Sequence, residues 1–252
     1  MKTNLDLGLT NILQGAMDLK PGQRVLLVQE NPKYGWYDSD LPKALHAFAV
    51  DKLGVVVEVL KVKEPTNSPH PKLEQMLKDQ HWDWIIFLAR IGDQDRFETD
   101  EQGPRKLMTY ARTKEQLQSG LGTVPHAAMV ALNTAVNEIF DSAKHIEITC
   151  PFGTQLVGKP SKSIGQGSTD VAMVRFPAAV SKPISANTFS GQVAFRHGLA
   201  PTSSKVYSPA CLPLPEGIIA VIDKGRICSF QGDAADILAA EDHYKRVASQ
   251  FN

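Results

Sequence analysis

The sequence predicts an α/β fold in two parts: an N-terminal parallel-sheet domain with a βαβα rhythm, followed by a β-rich α+β domain. Three observations carry this. Short runs of β-branched and leucine residues alternate with amphipathic helical stretches as far as Phe140. After Asp141–Lys144 the texture changes, with Gly, Pro and Ser frequent and short alternating runs in place of long ones. The chain has 252 residues, 42% of them hydrophobic, enough for one large domain or two small ones. The predicted domains are residues 1–143 and 144–252.

Taken in order, Leu5, Leu9, Ile12, Leu13, Ala16 and Met17 recur at helical spacing until Lys20-Pro21-Gly22 breaks the pattern. Arg24 to Gln29 (RVLLVQ) follows, an apolar run of the kind found in strands covered on both faces. The next loop, Asn31 to Ser39, is rich in aromatic residues: Tyr34, Trp36 and Tyr37. Asp38, Ser39 and Asp40 are placed to cap a helix with the buried stripe Leu41, Leu45, Phe48, Ala49 and Leu53, which Gly54 ends. Val55 to Val62 is a second strand, Lys72 to Gln80 a helix, and Trp84 to Ala89 a third strand. Gly103 to Ser119 is polar and is predicted helical, with an interruption at Gly120 and Gly122. His126 to Phe140 is an amphipathic helix with Met129, Leu132, Val136, Ile139 and Phe140 on one face.

In the second part, His145 to Cys150 alternates like a half-buried strand. Further strands are predicted at Val171–Phe176, Gln192–Arg196 and Lys205–Ser208. Gly217 to Phe230 is a hairpin turning at Asp223-Lys224-Gly225, and Ala234 to Ser249 is a closing helix with Ile237, Leu238, Tyr244 and Val247 on its apolar face.

Composition narrows the function. The 27 Lys+Arg balance 27 Asp+Glu, which argues against a nucleic-acid partner. The longest apolar runs are too short to span a bilayer, and Met1 to Thr10 has no charged segment leading into an apolar one. Cys150, Cys211 and Cys228 are widely separated, which suits a reducing compartment. The expectation is a cytoplasmic protein with a small-molecule partner and neither nucleic acid nor membrane.

Ligands of parallel sheets gather beyond the carboxyl ends of the strands, here Glu30–Tyr37, Glu64–His70 and Arg90–Arg96. The first strand is followed by QENPKYGWY and not by GxGxxG, so a nucleotide cofactor has no support. Arg90 is a candidate for forking onto a substrate carboxylate or phosphate; the alternative is a solvated loop in which Asp93, Asp95 and Arg96 pair among themselves. Tyr34 and Trp36 are candidates for stacking on a planar ligand, against the alternative that they pack the loop onto its own domain. The Gly-rich run Pro151 to Ser168, with Lys159 and Lys162, lacks the P-loop spacing and reads as a hairpin with flexible turns. His197, between Arg196 and Gly198, is a candidate substrate contact or else an exposed histidine. The seven histidines show no HxH, HxxH or HExxH spacing; His145 and Glu147 share a strand face but lack a third ligand nearby. No GxSxG elbow is present, since Phe189-Ser190-Gly191 lacks the leading glycine.

Read together, KPGQRVLLV, GVVVEVL, WDWIIFLAR, AKHIEITCPFGTQLVGKP, SGQVAF and EGIIAVIDKGRI, in that order among the helices, resemble one family. The sequence looks like the metal-dependent aminopeptidases of the T and S type and is closest in character to their 2,5-dihydroxypyridine 5,6-dioxygenase-like branch. That resemblance implies a non-haem iron(II) ring-cleaving dioxygenase acting on a hydroxylated aromatic or heteroaromatic compound. The alternatives are a zinc- or cobalt-dependent aminopeptidase and a catalytically inactive binding or assembly member. It also implies a homo-oligomer, with Arg90 and Gln192 near substrate. Gln192 stands where the aminopeptidases carry a metal-binding glutamate, and an amide is a poor ligand for such a site, which favours the dioxygenase branch. In both branches most His and Asp/Glu ligands lie beyond the position of Asn252. The metal ligands are therefore expected in chain beyond Asn252, with a degenerate binding member or a site completed by another chain as the alternatives.

Overall fold

The computed structural model describes residues 3–79, 81–94, 103–159, 173–178, 185–201 and 205–251. The chain forms a mixed α/β structure with a five-stranded parallel sheet and a separate five-stranded antiparallel sheet. Two compact units contain them: Met1–Val136 with Asp170–Lys182, and Asn137–Thr169 with Pro183–Asn252.

In the first unit, α1 (Asn4–Thr10) opens on a reciprocal capping box, in which the Thr3 hydroxyl accepts from the Asp6 amide while the Asp6 carboxylate accepts from the Thr3 amide. A π-helical stretch, Asn11–Ala16, continues it and buries Ile12 and Leu13. The strands are β1 (Arg24–Glu30), β2 (Val56–Val62), β3 (Trp84–Leu88), β4 (Arg105–Thr109) and β7 (Val174–Phe176), in the order β2-β1-β3-β4-β7 with every pair parallel. All five residues of β3 are buried, each large apolar side chain contributing about 2 kcal/mol. Helix α2 (Asp40–Leu53) sets Leu41, Leu45 and Ala49 into the core and ends at Gly54, whose φ of 64° is the left-handed cap that glycine adopts without steric cost. Helices α3 (Pro71–Asp79), α4 (Lys114–Gln118) and α5 (Gly120–Thr123) complete the connections up to α6 (His126–Ser142). The Asn11 side chain ties this connection to the first helix. Its Nδ2 donates to the carbonyls of Gly122 and Val124, and its Oδ1 accepts from the His126 amide.

Two expectations change here. Arg105–Thr109, expected within a polar helix, is a strand paired in parallel with β3. Its central residues are the apolar Leu107 and Met108, and the slot beside β3 buries both. Val174–Phe176, expected in the second domain, pairs with β4, so the chain returns to the first unit to extend the parallel sheet.

In the second unit, β5 (Ile146–Thr149), β6 (Gln155–Gly158), β8 (Ser190–Leu199), β9 (Leu212–Asp223) and β10 (Arg226–Gly232) form the antiparallel sheet in the order β10-β9-β8-β6-β5. The β9–β10 hairpin turns through Lys224 and Gly225, both with positive φ. Helix α7 (Ala234–Phe251) lays Ile237 and Ala240 on Leu214 and Ile218. Lys205–Ser208, expected as a strand, forms none. Instead, the Ser208 and Pro209 carbonyls accept from the Arg246 guanidinium.

Candidate functional site

The strand order places a topological switch point between the carboxyl ends of β1 and β3, because the chain leaves β1 toward β2 on one side and returns to β3 on the other. Open parallel sheets leave a crevice there. Glu30 ends β1, and Arg90 opens the 3-10 turn Arg90–Asp93 that follows β3. The Arg90 backbone amide donates to Glu30 Oε2 at 2.9 Å, and its Nη2 donates to Oε1 at 2.6 Å. Its Nε donates to Oε1 at 3.0 Å and Oε2 at 3.2 Å. Glu30 is 1% exposed and the Arg90 side chain 23%. Such a pair is held by geometry: a fork of donors on two carboxylate oxygens offsets the cost of removing both charges from water.

The aromatic loop lies against this pair. Trp36 is 44% exposed, with the Arg90 guanidinium carbon 4.8 Å and the Arg112 guanidinium carbon 5.5 Å from its ring centroid. The loop is firmly held. Asn31 Oδ1 accepts from the Lys33 amide, and Gly35 takes a φ of 74° to end the short 3-10 turn Pro32–Tyr34. The buried Tyr37 hydroxyl donates to the Thr109 carbonyl. Asp38 Oδ1 accepts from the Asp40 and Leu41 amides to cap α2, while its Oδ2 accepts from the Lys114 amide. The Asp38 amide in turn donates to the Arg112 carbonyl. Behind the loop, Asp93 is buried and accepts from the Tyr110 hydroxyl at 3.1 Å. Burial, and then the nearby charges of Asp93 and Glu30, push the Tyr37 phenol far above its ordinary range, so it stays neutral.

The first unit thus brings Arg90, Trp36 and the half-buried Tyr34, which carries the Lys33 ammonium over its ring, into one loop system. Sequence reading did not single out Glu30, Arg112 or Tyr110. Glu30 had a signal, a carboxylate closing an apolar strand; Arg112 had none, since it comes close only through the folded loop.

Gln192 and His197 belong to the second unit. On β8, Gln192 donates from Nε2 to the Gly153 carbonyl at 2.8 Å and so steadies the β5–β6 turn. His197 sits at a register shift opposite β9 with a φ of 65°, exposed. Asp95, Arg96 and the stretch from 160 to 168 of the Gly-rich run lie outside the described residues. All seven histidines are described, yet no three His, Cys, Asp or Glu side chains among the described residues gather as a metal site would require.

Among the described residues no helix is long and apolar enough to cross a membrane. No family model and no curated protein matches the chain. A solved structure shares its mixed α/β fold. The 2,5-dihydroxypyridine dioxygenase from Pseudomonas putida KT2440 superposes with a TM-score of 0.60 at 13% identity, over 97% of this chain and 73% of that one. AmpT from Thermus thermophilus aligns over 93% of this chain and 72% of that one at 13% identity, with a TM-score of 0.45. At 13% identity the likeness to the dioxygenase is one of fold.

Proposed function

We propose that this protein is a dioxygenase-like member of its fold that binds a small hydroxylated aromatic or heteroaromatic compound at the switch point of its parallel sheet. The observation that carries the reading is the exposed Trp36 indole with two guanidiniums beside it. A planar ring has a face to stack on the indole, and a phenolate or carboxylate on that ring has charge for arginine. Arg90 Nε and Nη2 are committed to Glu30, so Arg112, which makes no ion pair with a described residue, is the principal anchor for that charge. The fold shared with a dioxygenase supports the same substrate class.

The described residues do not fit an iron(II) centre, nor a zinc or cobalt one, because no ligand set gathers among them. No bond-breaking step is therefore assigned to them. The aminopeptidase alternative expects a carboxylate at position 192, where the Gln192 amide instead holds a backbone carbonyl.

The test is a titration with 2,5-dihydroxypyridine followed by tryptophan fluorescence, with oxygen uptake measured in parallel after iron(II) is added. Saturable quenching, lost in Trp36→Leu, is the expected result. Absence of binding overturns the reading; binding without oxygen uptake separates recognition from ring cleavage.

A further inference from the structure

A cavity of about 460 Å³ opens between α2 and the β1–β2 pair, within the range of small-molecule sites. Its shape follows from register. Gln29 and Lys61 are partners on the two parallel strands, so their side chains leave the same face of the sheet, and Val59 shares that face two residues earlier. Opposite them Pro42, Lys43 and His46 follow the three- and four-residue spacing of one helical stripe. Asn31 and Pro32 close the carboxyl end.

The charge on these walls is one-sided. Glu30 is on the wall, but its carboxylate is engaged by Arg90. Lys43 meets Asp40 through an exposed contact of 3.2 Å, which is worth little in water. The Gln29 amide, the His46 imidazole and the Lys61 ammonium make no hydrogen bond or ion pair with any described residue. Gln29 and His46 are half-buried and Lys61 is exposed; polar groups that line a cavity without a protein partner are what a ligand's polar atoms satisfy. Val59 and Pro42 add apolar wall, which a bare inorganic ion would leave unused.

We infer that this cavity is a second binding site, for a small organic carboxylate. Its apolar body lies on Val59 and the proline walls, and its carboxylate meets Lys61, His46 and the Gln29 amide. The site does not rest on the proposed aromatic site, since Trp36 and Arg112 do not line it.

The experiment titrates the full chain with benzoate, with inorganic phosphate in a parallel arm, and follows backbone amide shifts by NMR. Expected are saturable shifts at Gln29, His46, Val59 and Lys61, with phosphate weaker than benzoate. At these four residues Lys61→Gln should weaken the benzoate response at least fivefold, and Val59→Trp should abolish it by filling the space. Both Lys61 and Val59 are exposed, so the two variants keep the fold, and unchanged amide dispersion checks this. No saturable shift, shifts confined to Trp36 and Arg112, phosphate tighter than benzoate, or wild-type binding by both cavity variants would each overturn the inference.

Discussion

Glu30 and Arg90 close the switch point of the parallel sheet on each other: one carboxylate takes the Arg90 amide, Nε and Nη2, although 60 residues separate the pair in sequence. Breaking a buried pair from the wrong side strands a charge. Arg90→Met leaves the fully buried Glu30 without its partner and should cost about 3 kcal/mol. Glu30→Gln should cost less, because the Arg90 head reaches water. The double variant Glu30→Gln/Arg90→Met should recover part of the larger loss. Urea unfolding measures all three; equal losses in the two single variants would contradict the assignment.

Trp82 and Trp84 are buried, whereas Trp36 is open to solvent. Acrylamide quenching of the native protein should therefore come mainly from Trp36 and should drop sharply in Trp36→Phe. In the wild type, a bound aromatic anion should protect the indole from acrylamide. Arg112→Ala should weaken that ligand about tenfold, equivalent to about 1.4 kcal/mol.

Gly92 lies in the turn that carries Arg90 away from β3. A Cβ there would come 2.5 Å from Phe87 Cγ and 2.9 Å from the Met108 sulfur, and both neighbours are core side chains. Gly92→Ala should lower stability by about 1–3 kcal/mol through overpacking. Loss of the aromatic ligand site should accompany it, since the turn sets the position of Arg90. A thermal melt and a ligand titration of the same variant check both effects.

Stability should fall on the acid side of neutrality. Burial holds the His126 imidazole, stacked on Phe176, below the ordinary histidine range, and its Nδ1 is buried without a partner. Burial, and then the Arg246 guanidinium that contacts its Nδ1, does the same for His243. A histidine with a depressed folded-state value takes up more protons when unfolded. Its contribution is therefore present above about pH 6.5 and is lost as pH falls from there through the folded value. The urea midpoint should be lower at pH 5.5 than at pH 7.5, and His126→Phe should flatten that difference.

His197 occupies left-handed backbone at a strand irregularity. Asparagine tolerates this conformation and a β-branched residue does not. His197→Asn should be close to neutral for stability and His197→Val should cost about 1–2 kcal/mol, measured by thermal melting. If His197 also contacts a ligand, Asn should weaken binding while leaving the melt unchanged.

What could be read from the sequence is what local periodicity encodes. The buried runs RVLLVQ and WIIFL, the stripe Leu41, Leu45 and Ala49, the Gly54 stop and the Asp223-Lys224-Gly225 turn each carry their structure within a few residues. Arg90 and Trp36 were marked in the sequence as candidates, because strand ends in a parallel sheet are places for ligands. Tertiary structure decided the rest. Arg105–Thr109 became a strand only by filling a slot beside β3, and Val174–Phe176 joined β4 from 67 residues away, Leu107 lying opposite Val174. Parallel neighbours are distant in sequence by necessity, and no local pattern records which strand will lie beside which. For the same reason the sequence by itself marked a guanidinium at position 90. The fold supplied the carboxylate that holds it, the second guanidinium at Arg112, and the cavity between Lys61 and His46.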